Sequence, residues 1–179
     1  MKAIFIISGE KKTGKTYLLQ QLISVLADTG YNLKGFYARH NETADSYSIK
    51  NIKSHKEIML MTRTGPPEVK PGHFQINESG IQAGTRWLEP DENDDTSILV
   101  LDEIGYYELN GMVWHELFSN AVNSPKPLIF TTKTRYLSEI ISKWRIHPAA
   151  VFYPLEFLSS EKIAKQIIQT IKLYERDSF

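Results

Sequence analysis

The chain has 179 residues, 41% hydrophobic and 23% charged, a balance that predicts one soluble globular domain over residues 1–179 with a substantial core. Lysine plus arginine and aspartate plus glutamate both number 21, so no net field draws the chain toward nucleic acid or a membrane surface. The absence of cysteine excludes disulfides, thiolate catalysis and cysteine-type zinc sites.

Ala3-Ile4-Phe5-Ile6-Ile7 reads as a short buried strand, and Tyr17 to Leu26 carries apolar residues at helical spacing. Between them Gly9-Glu10-Lys11-Lys12-Thr13-Gly14-Lys15-Thr16 has the spacing G-x-x-x-x-G-K-[ST] of a phosphate-binding P-loop. Gly9 and Gly14 allow a tight turn and close approach of the backbone to phosphate oxygens, where a Cβ would intrude. The loop N–H groups and the first helical turn then face an anion, reinforced by the helix dipole. Lys15 supplies a mobile charge for the β- and γ-phosphates. Thr16 offers a hydroxyl to Mg²⁺, a cation that keeps several waters and takes few protein ligands. Met1-Lys2 and the apolar run behind it are too short for a signal peptide, and no stretch is long enough to span a membrane; both point to a cytoplasmic protein.

Gly30 suits a left-handed cap closing the first helix. Leu33 to Ala38 reads as a second strand ending at Arg39-His40. Ser46–Ile52 and Glu57–Met61 predict an antiparallel hairpin inserted beside the main sheet, and 65–72 is the strongest loop signal. Phe74–Ile76 predicts a short strand, Glu78–Leu88 a helix, and 90–96 an exposed acidic linker. Ser97–Leu101 is a continuous apolar run of the kind buried on both faces of a sheet. Helices are expected over Gly111–Val122, Leu137–Trp144 and residues 159–173, the last capped by Ser159 or Ser160, and strands over Pro127–Thr132 and Ala149–Tyr153. Strands alternating with helices predict an α/β fold with a mainly parallel sheet flanked by helices.

The run Ile98-Leu99-Val100-Leu101 delivers two acids, Asp102 and Glu103, at its C-terminal end, the Walker B pattern. Alone, such a pair could as well cap the next helix or face solvent. Behind a P-loop, Asp102 reads as the carboxylate that holds Mg²⁺ from the far side, and Glu103 as the group that activates an attacking water.

Asp102-Glu103-Ile104-Gly105-Tyr106-Tyr107-Glu108-Leu109 resembles the D-E-I-G-x-x-E-L segment of the small nucleoside-triphosphatases first described from thermophiles, sometimes labelled nucleotide kinases. Gly35-Phe36-Tyr37-Ala38-Arg39 is similar to that family's G-F-Y-T-R segment. The resemblance covers residues 4–40 and 97–110 by motif and the remainder by element order. It implies a RecA-like P-loop fold and slow, base-tolerant hydrolysis of ATP or GTP to diphosphate and phosphate. It also makes Arg39 a candidate contact of the γ-phosphate or transition state, beside the bland reading of a surface arginine at a strand end. Thr131 and Thr132 occupy the place of a polar γ-phosphate sensor, or are a plain strand terminus; Lys133 and Arg135 are weaker candidates.

Three positions depart from the family pattern. Lys12 stands for a small residue, often glycine, and a positive φ there costs roughly 1 kcal/mol or more, so a differently shaped loop is expected. Lys11 and Lys12 add charge toward the phosphates or face solvent. Tyr17 stands for a second threonine, keeping its N–H for the α-phosphate but losing the short hydroxyl. Pro154-Leu155-Glu156-Phe157 replaces a late Asn-Arg pair, leaving base and ribose recognition without a motif.

The five histidines show no metal-ligand spacing, and Trp87, Trp114 and Trp144 read as packing residues rather than base-stacking platforms. The leading function is a Mg²⁺-dependent nucleoside-triphosphatase with Glu103, Lys15 and Arg39 as candidate catalytic residues. The alternatives are a nucleotide or small-molecule kinase, and a nucleotide-binding switch, with an unidentified protein partner, whose hydrolysis is incidental. The Asp102-Glu103 pair and the lack of an arginine-dense lid segment favour water as acceptor.

Overall fold

Strand β1 (Ile4–Ser8) is buried along its whole length, which explains why its sequence does not alternate. Phe5 and Ile7 meet one layer, built on Leu19, Leu22 and Leu26 of helix α1 (Lys15–Asp28) and Ile163, Ile167 and Ile171 of α6 (Ser160–Arg176). Ile4 and Ile6 belong to a second layer on the opposite face, with Leu99, Leu101, Phe118, Phe130 and Ile140. Each fully buried side chain of this size contributes about 1.5–3 kcal/mol relative to exposure, so the two layers fix the sheet between them. The computed structural model describes residues 2–63, 74–89, 97–154 and 159–176.

The remaining elements are β2 (Asn32–Asn41), β3 (Ser46–Asn51), β4 (Glu57–Arg63), β5 (Phe74–Ile76), α2 (Glu78–Leu88), β6 (Ser97–Ile104), α3 (Tyr106–Leu109), α4 (His115–Asn123), β7 (Leu128–Thr132), α5 (Thr134–Lys143) and β8 (Ala150–Phe152). They form an eight-stranded sheet in the order β5-β4-β3-β2-β6-β7-β1-β8. From β2 to β8 the pairings are parallel, and β2-β3, β3-β4 and β4-β5 are antiparallel. One strand, β7, lies between the P-loop strand β1 and the acidic strand β6, the RecA-like arrangement. The expected hairpin is present but is continuous with the main sheet and extended by β5. Gly35 shows why β2 and β6 pack so closely: its φ is +138°, and a Cβ there would collide with the Val100 carbonyl oxygen.

Two expectations need correction. The predicted helix over Gly111–Val122 is split, because Gly111 (φ +76°) and Val113 (φ +50°) are left-handed and cannot lie inside a right-handed helix. The chain instead forms the short α3, a turn, and α4 starting at His115. The P-loop takes a left-handed residue at Lys12 (φ +64°) despite the missing glycine, so the chain accepts the strain there instead of avoiding that conformation. Helix α5 starts three residues earlier than expected, after the extended Lys133. The loop 65–72, the linker 90–96 and residues 155–157 lie outside the described residues.

Candidate active site

The P-loop leaves β1 held to its neighbour, Gly9 N–H donating to the Thr132 carbonyl at 3.3 Å. Its two glycines serve different needs. A Cβ at Gly9 would fall 2.5 Å from Thr13 Oγ1, whereas Gly14 is open around its Cα but takes φ +90° to launch α1. Within the loop the Glu10 carbonyl accepts from Thr13 N (3.3 Å), Thr13 Oγ1 (2.9 Å) and Lys15 Nζ (2.8 Å). Lys15 is only 7% exposed, and burial lowers its pKa while the nearby Glu103 and Asp102 charges oppose that shift. Glu10, Lys11, Lys12 and Tyr17 face solvent. Lys12 Nζ lies 2.8 Å from Glu42 Oε1, a solvent-screened pair on the outside of the loop.

Asp102 ties the site together. Its Oδ2 accepts from Thr16 Oγ1 (2.9 Å) and the Ala38 N–H (2.9 Å), and its Oδ1 accepts from Thr131 Oγ1. One carboxylate thus joins α1, β2 and β7. It is 1% exposed, and burial, with the neighbouring Glu103 charge, pushes its pKa up to about 6 against the pull of those hydrogen bonds.

Glu103 sits at an irregularity within β6. Its φ is +62°, and the β6-β7 register shifts between Leu101 and Ile104. The bulge keeps Asp102 buried and turns Glu103 outward, while the Glu103 N–H is held by Thr131 Oγ1 at 2.8 Å. A left-handed glutamate costs of order 1–3 kcal/mol, and such residues gather at functional sites.

The structure brings Lys15, Thr16, Asp102, Glu103 and Thr131 to the C-terminal edge of the parallel strands. Arg39 is not brought with them: its guanidinium is exposed and pairs with Glu57 Oε2 at 3.2 Å. Thr132 is buried without a side-chain contact to Asp102, its hydroxyl lying 3.4 Å from the Lys133 carbonyl. Lys133 and Arg135 line a cavity beside the acids, where the Arg135 guanidinium lies 4.7 Å from the Tyr136 ring centre.

Sequence reasoning missed that cavity. It holds about 380 Å³ and runs from Lys15, Asp102 and Glu103 to an apolar wall that includes Tyr47, Leu60, Phe74 and Trp114. Trp114 is a packing residue as expected, its ring 4.7 Å from that of Phe36, yet it also faces this space. Glu108 was missed as a structural residue. It is 2% exposed, accepts from the Gly105 N–H (2.7 Å) and the Trp114 N–H (3.2 Å), and burial raises its pKa to about 7. A glutamate three residues after Gly105 is a helix-start signal that could have found it. Among the described residues no group of histidines and acids could hold a metal ion by itself, and no helix is long and apolar enough to cross a membrane.

Known proteins resemble this chain in sequence and in fold. The chain is 30% identical over 126 residues to nucleoside-triphosphatase THEP1 of Saccharolobus solfataricus, covering 69% of this chain and 71% of that protein. It is 23% identical over 173 residues to THEP1 of Methanocaldococcus jannaschii, covering 92% and 95%. The crystal structure of THEP1 from Aquifex aeolicus superposes with a TM-score of 0.64 at 19% identity, over 94% of this chain and 99% of that one. The solution structure of a human cancer-related nucleoside triphosphatase gives 0.65 at 18% identity, over 96% and 98%. These likenesses carry the fold, and the model of the NTPase family matches residues 4–168: the chain belongs to the NTPase family.

Proposed function

We propose that the chain hydrolyses the terminal phosphate of nucleoside triphosphates at the edge formed by Lys15, Thr16, Asp102 and Glu103. That it is a nucleoside-triphosphatase follows from its family; the residue roles, the metal and the cytoplasmic location are our reading. The observation that carries it is the separation of two adjacent acids, Asp102 buried against Thr16 and Glu103 turned out beside Lys15.

The loop N–H groups and Lys15 bind the phosphates, with Lys15 exchanging the Glu10 carbonyl for phosphate oxygens. Thr16 Oγ1 and Asp102 Oδ2 offer a hydroxyl and a buried carboxylate, hard oxygen donors that fit a Mg²⁺ ion with most of its waters retained. When bound, that ion supplies charge neutralisation to the transferring phosphoryl group. Thr131 fixes both acids, donating to Asp102 and accepting from the Glu103 N–H. Glu103 orients and deprotonates the attacking water. Arg39 contributes to the γ-phosphate only if it leaves Glu57, and an exposed pair of this kind is weak enough to break. Release of ADP and free phosphate in equal amounts from ATP with Mg²⁺ tests the reaction. ADP formation that does not depend on Glu103 would refute the roles. The cavity against Glu103 favours one second reading, transfer of the same phosphoryl group to a small molecule.

A further inference from the structure

The cavity is divided by chemistry. At one end stand the charged groups Lys15, Lys133, Arg135, Asp102 and Glu103; at the other the wall is formed by Tyr47, Ile49, Leu60, Met61, Phe74 and Trp114. Its volume of about 380 Å³ is within the range of small-molecule sites. It does not serve the P-loop's outer side, since neither Gly9 nor Tyr17 lines it. It opens instead where Lys15, Asp102 and Glu103 meet, at the terminal phosphate's end, and in-line transfer requires the nucleophile to approach the terminal phosphorus opposite its leaving oxygen. Hydrolysis needs room for one water there, not a chamber with an aromatic wall.

The geometry points to this cavity as the site of a second substrate, a neutral aromatic alcohol that accepts the phosphoryl group. The inference rests on the reading of Glu103 as the base beside the terminal phosphate. An apolar ring fits the apolar wall, and a hydroxyl at the other end meets Glu103. Among the described lining residues the cations Lys15, Lys133 and Arg135 all stand at the phosphate end and the apolar wall carries none, so the part of an acceptor that enters the apolar end is uncharged. Glu108 also lines the space, but its two oxygens are taken by the Gly105 and Trp114 N–H groups, which leaves Glu103 as the base. In the reaction the alcohol oxygen bonds to the terminal phosphorus as the bond from phosphorus to the bridging oxygen breaks. The bond pair leaves with the nucleoside diphosphate. The hydroxyl proton passes to the Glu103 carboxylate and then to solvent, giving a phosphate monoester.

The test incubates the full chain with ATP and Mg²⁺, with and without tryptophol, an indole carrying a primary alcohol. ADP, free phosphate and monoester are counted by chromatography and phosphorus NMR. With tryptophol, free phosphate should fall short of ADP by the amount of monoester formed. Ethylindole, which lacks the hydroxyl, should give none. Leu60→Trp and Ile49→Phe, which fill the apolar end, should lose the monoester relative to ADP; two variants and the ethylindole control keep the test valid if one variant misfolds. Equal ADP and phosphate at saturating tryptophol, or monoester persisting in both filled variants, would overturn the inference while leaving hydrolysis intact. No ADP under any condition would overturn the hydrolase reading as well.

Discussion

The Thr16 hydroxyl donates to Asp102 Oδ2 at 2.9 Å across 86 positions of sequence, so the first turn of α1 and the end of β6 form one polar unit. Asp102→Ala removes that partner together with those of Ala38 N–H and Thr131. We expect ATP affinity by calorimetry to fall much more with Mg²⁺ present than in EDTA, since the proposed role runs through the metal. Stability should drop by about 1–3 kcal/mol from the groups left unpaired. An equal loss of affinity in both buffers would make Asp102 purely structural.

Lys15→Ala should weaken ATP binding by ~10- to 10²-fold, the scale of a charge-assisted contact worth about 1.5–3 kcal/mol. The fold should persist, because the Glu10 carbonyl still accepts from Thr13. Calorimetry together with a melting curve checks both. Unchanged affinity would remove the phosphate-binding reading.

Thr131→Val keeps the shape but deletes the hydroxyl that bridges Asp102 and the Glu103 N–H. Turnover should fall by ~10-fold or more with little change in KM, as a misplaced base affects the chemical step more than binding. Thr131→Ser should restore it. Failure of serine to rescue would show that packing, not the hydrogen bonds, is what Thr131 supplies.

The P-loop and the acidic pair were legible because each chemistry needs its residues within one strand and turn. The mainly parallel sheet was legible from the alternation of strands and helices, whereas the order of its strands was not. What stayed hidden depends on register between distant segments. Glu103 shares a strand run with Asp102, yet its outward turn comes from a bulge against β7. The Arg39–Glu57 pair needs β2, β3 and β4 aligned side by side. The cavity likewise collects Tyr47, Phe74 and Trp114 from three separate elements or turns. The break at Gly111–Val113 escaped because the apolar spacing there suits a helix while the Glu108 carboxylate, holding the Trp114 N–H, sets a later start.

Glu108 predicts a pH effect on stability. Burial raises its folded pKa from 4.5 to about 7, so between these values the folded chain holds a proton that the unfolded chain has lost. This contribution is therefore complete below 4.5 and is lost as pH rises through about 7. Melting temperature should fall across that window, and the fall should be smaller in Glu108→Gln. A parent profile matching that of the variant would place the carboxylate's titration elsewhere.

The most direct measurement is steady-state hydrolysis of ATP by Glu103→Gln beside the parent protein. The substitution keeps the side chain's size and removes the charge that orients or deprotonates water. We predict a fall in kcat of ~10²-fold or more, the scale of a lost general base. KM should stay level or decrease, since a negative charge near the terminal phosphate is gone. A Glu103→Gln protein that releases phosphate as fast as the parent would contradict the account.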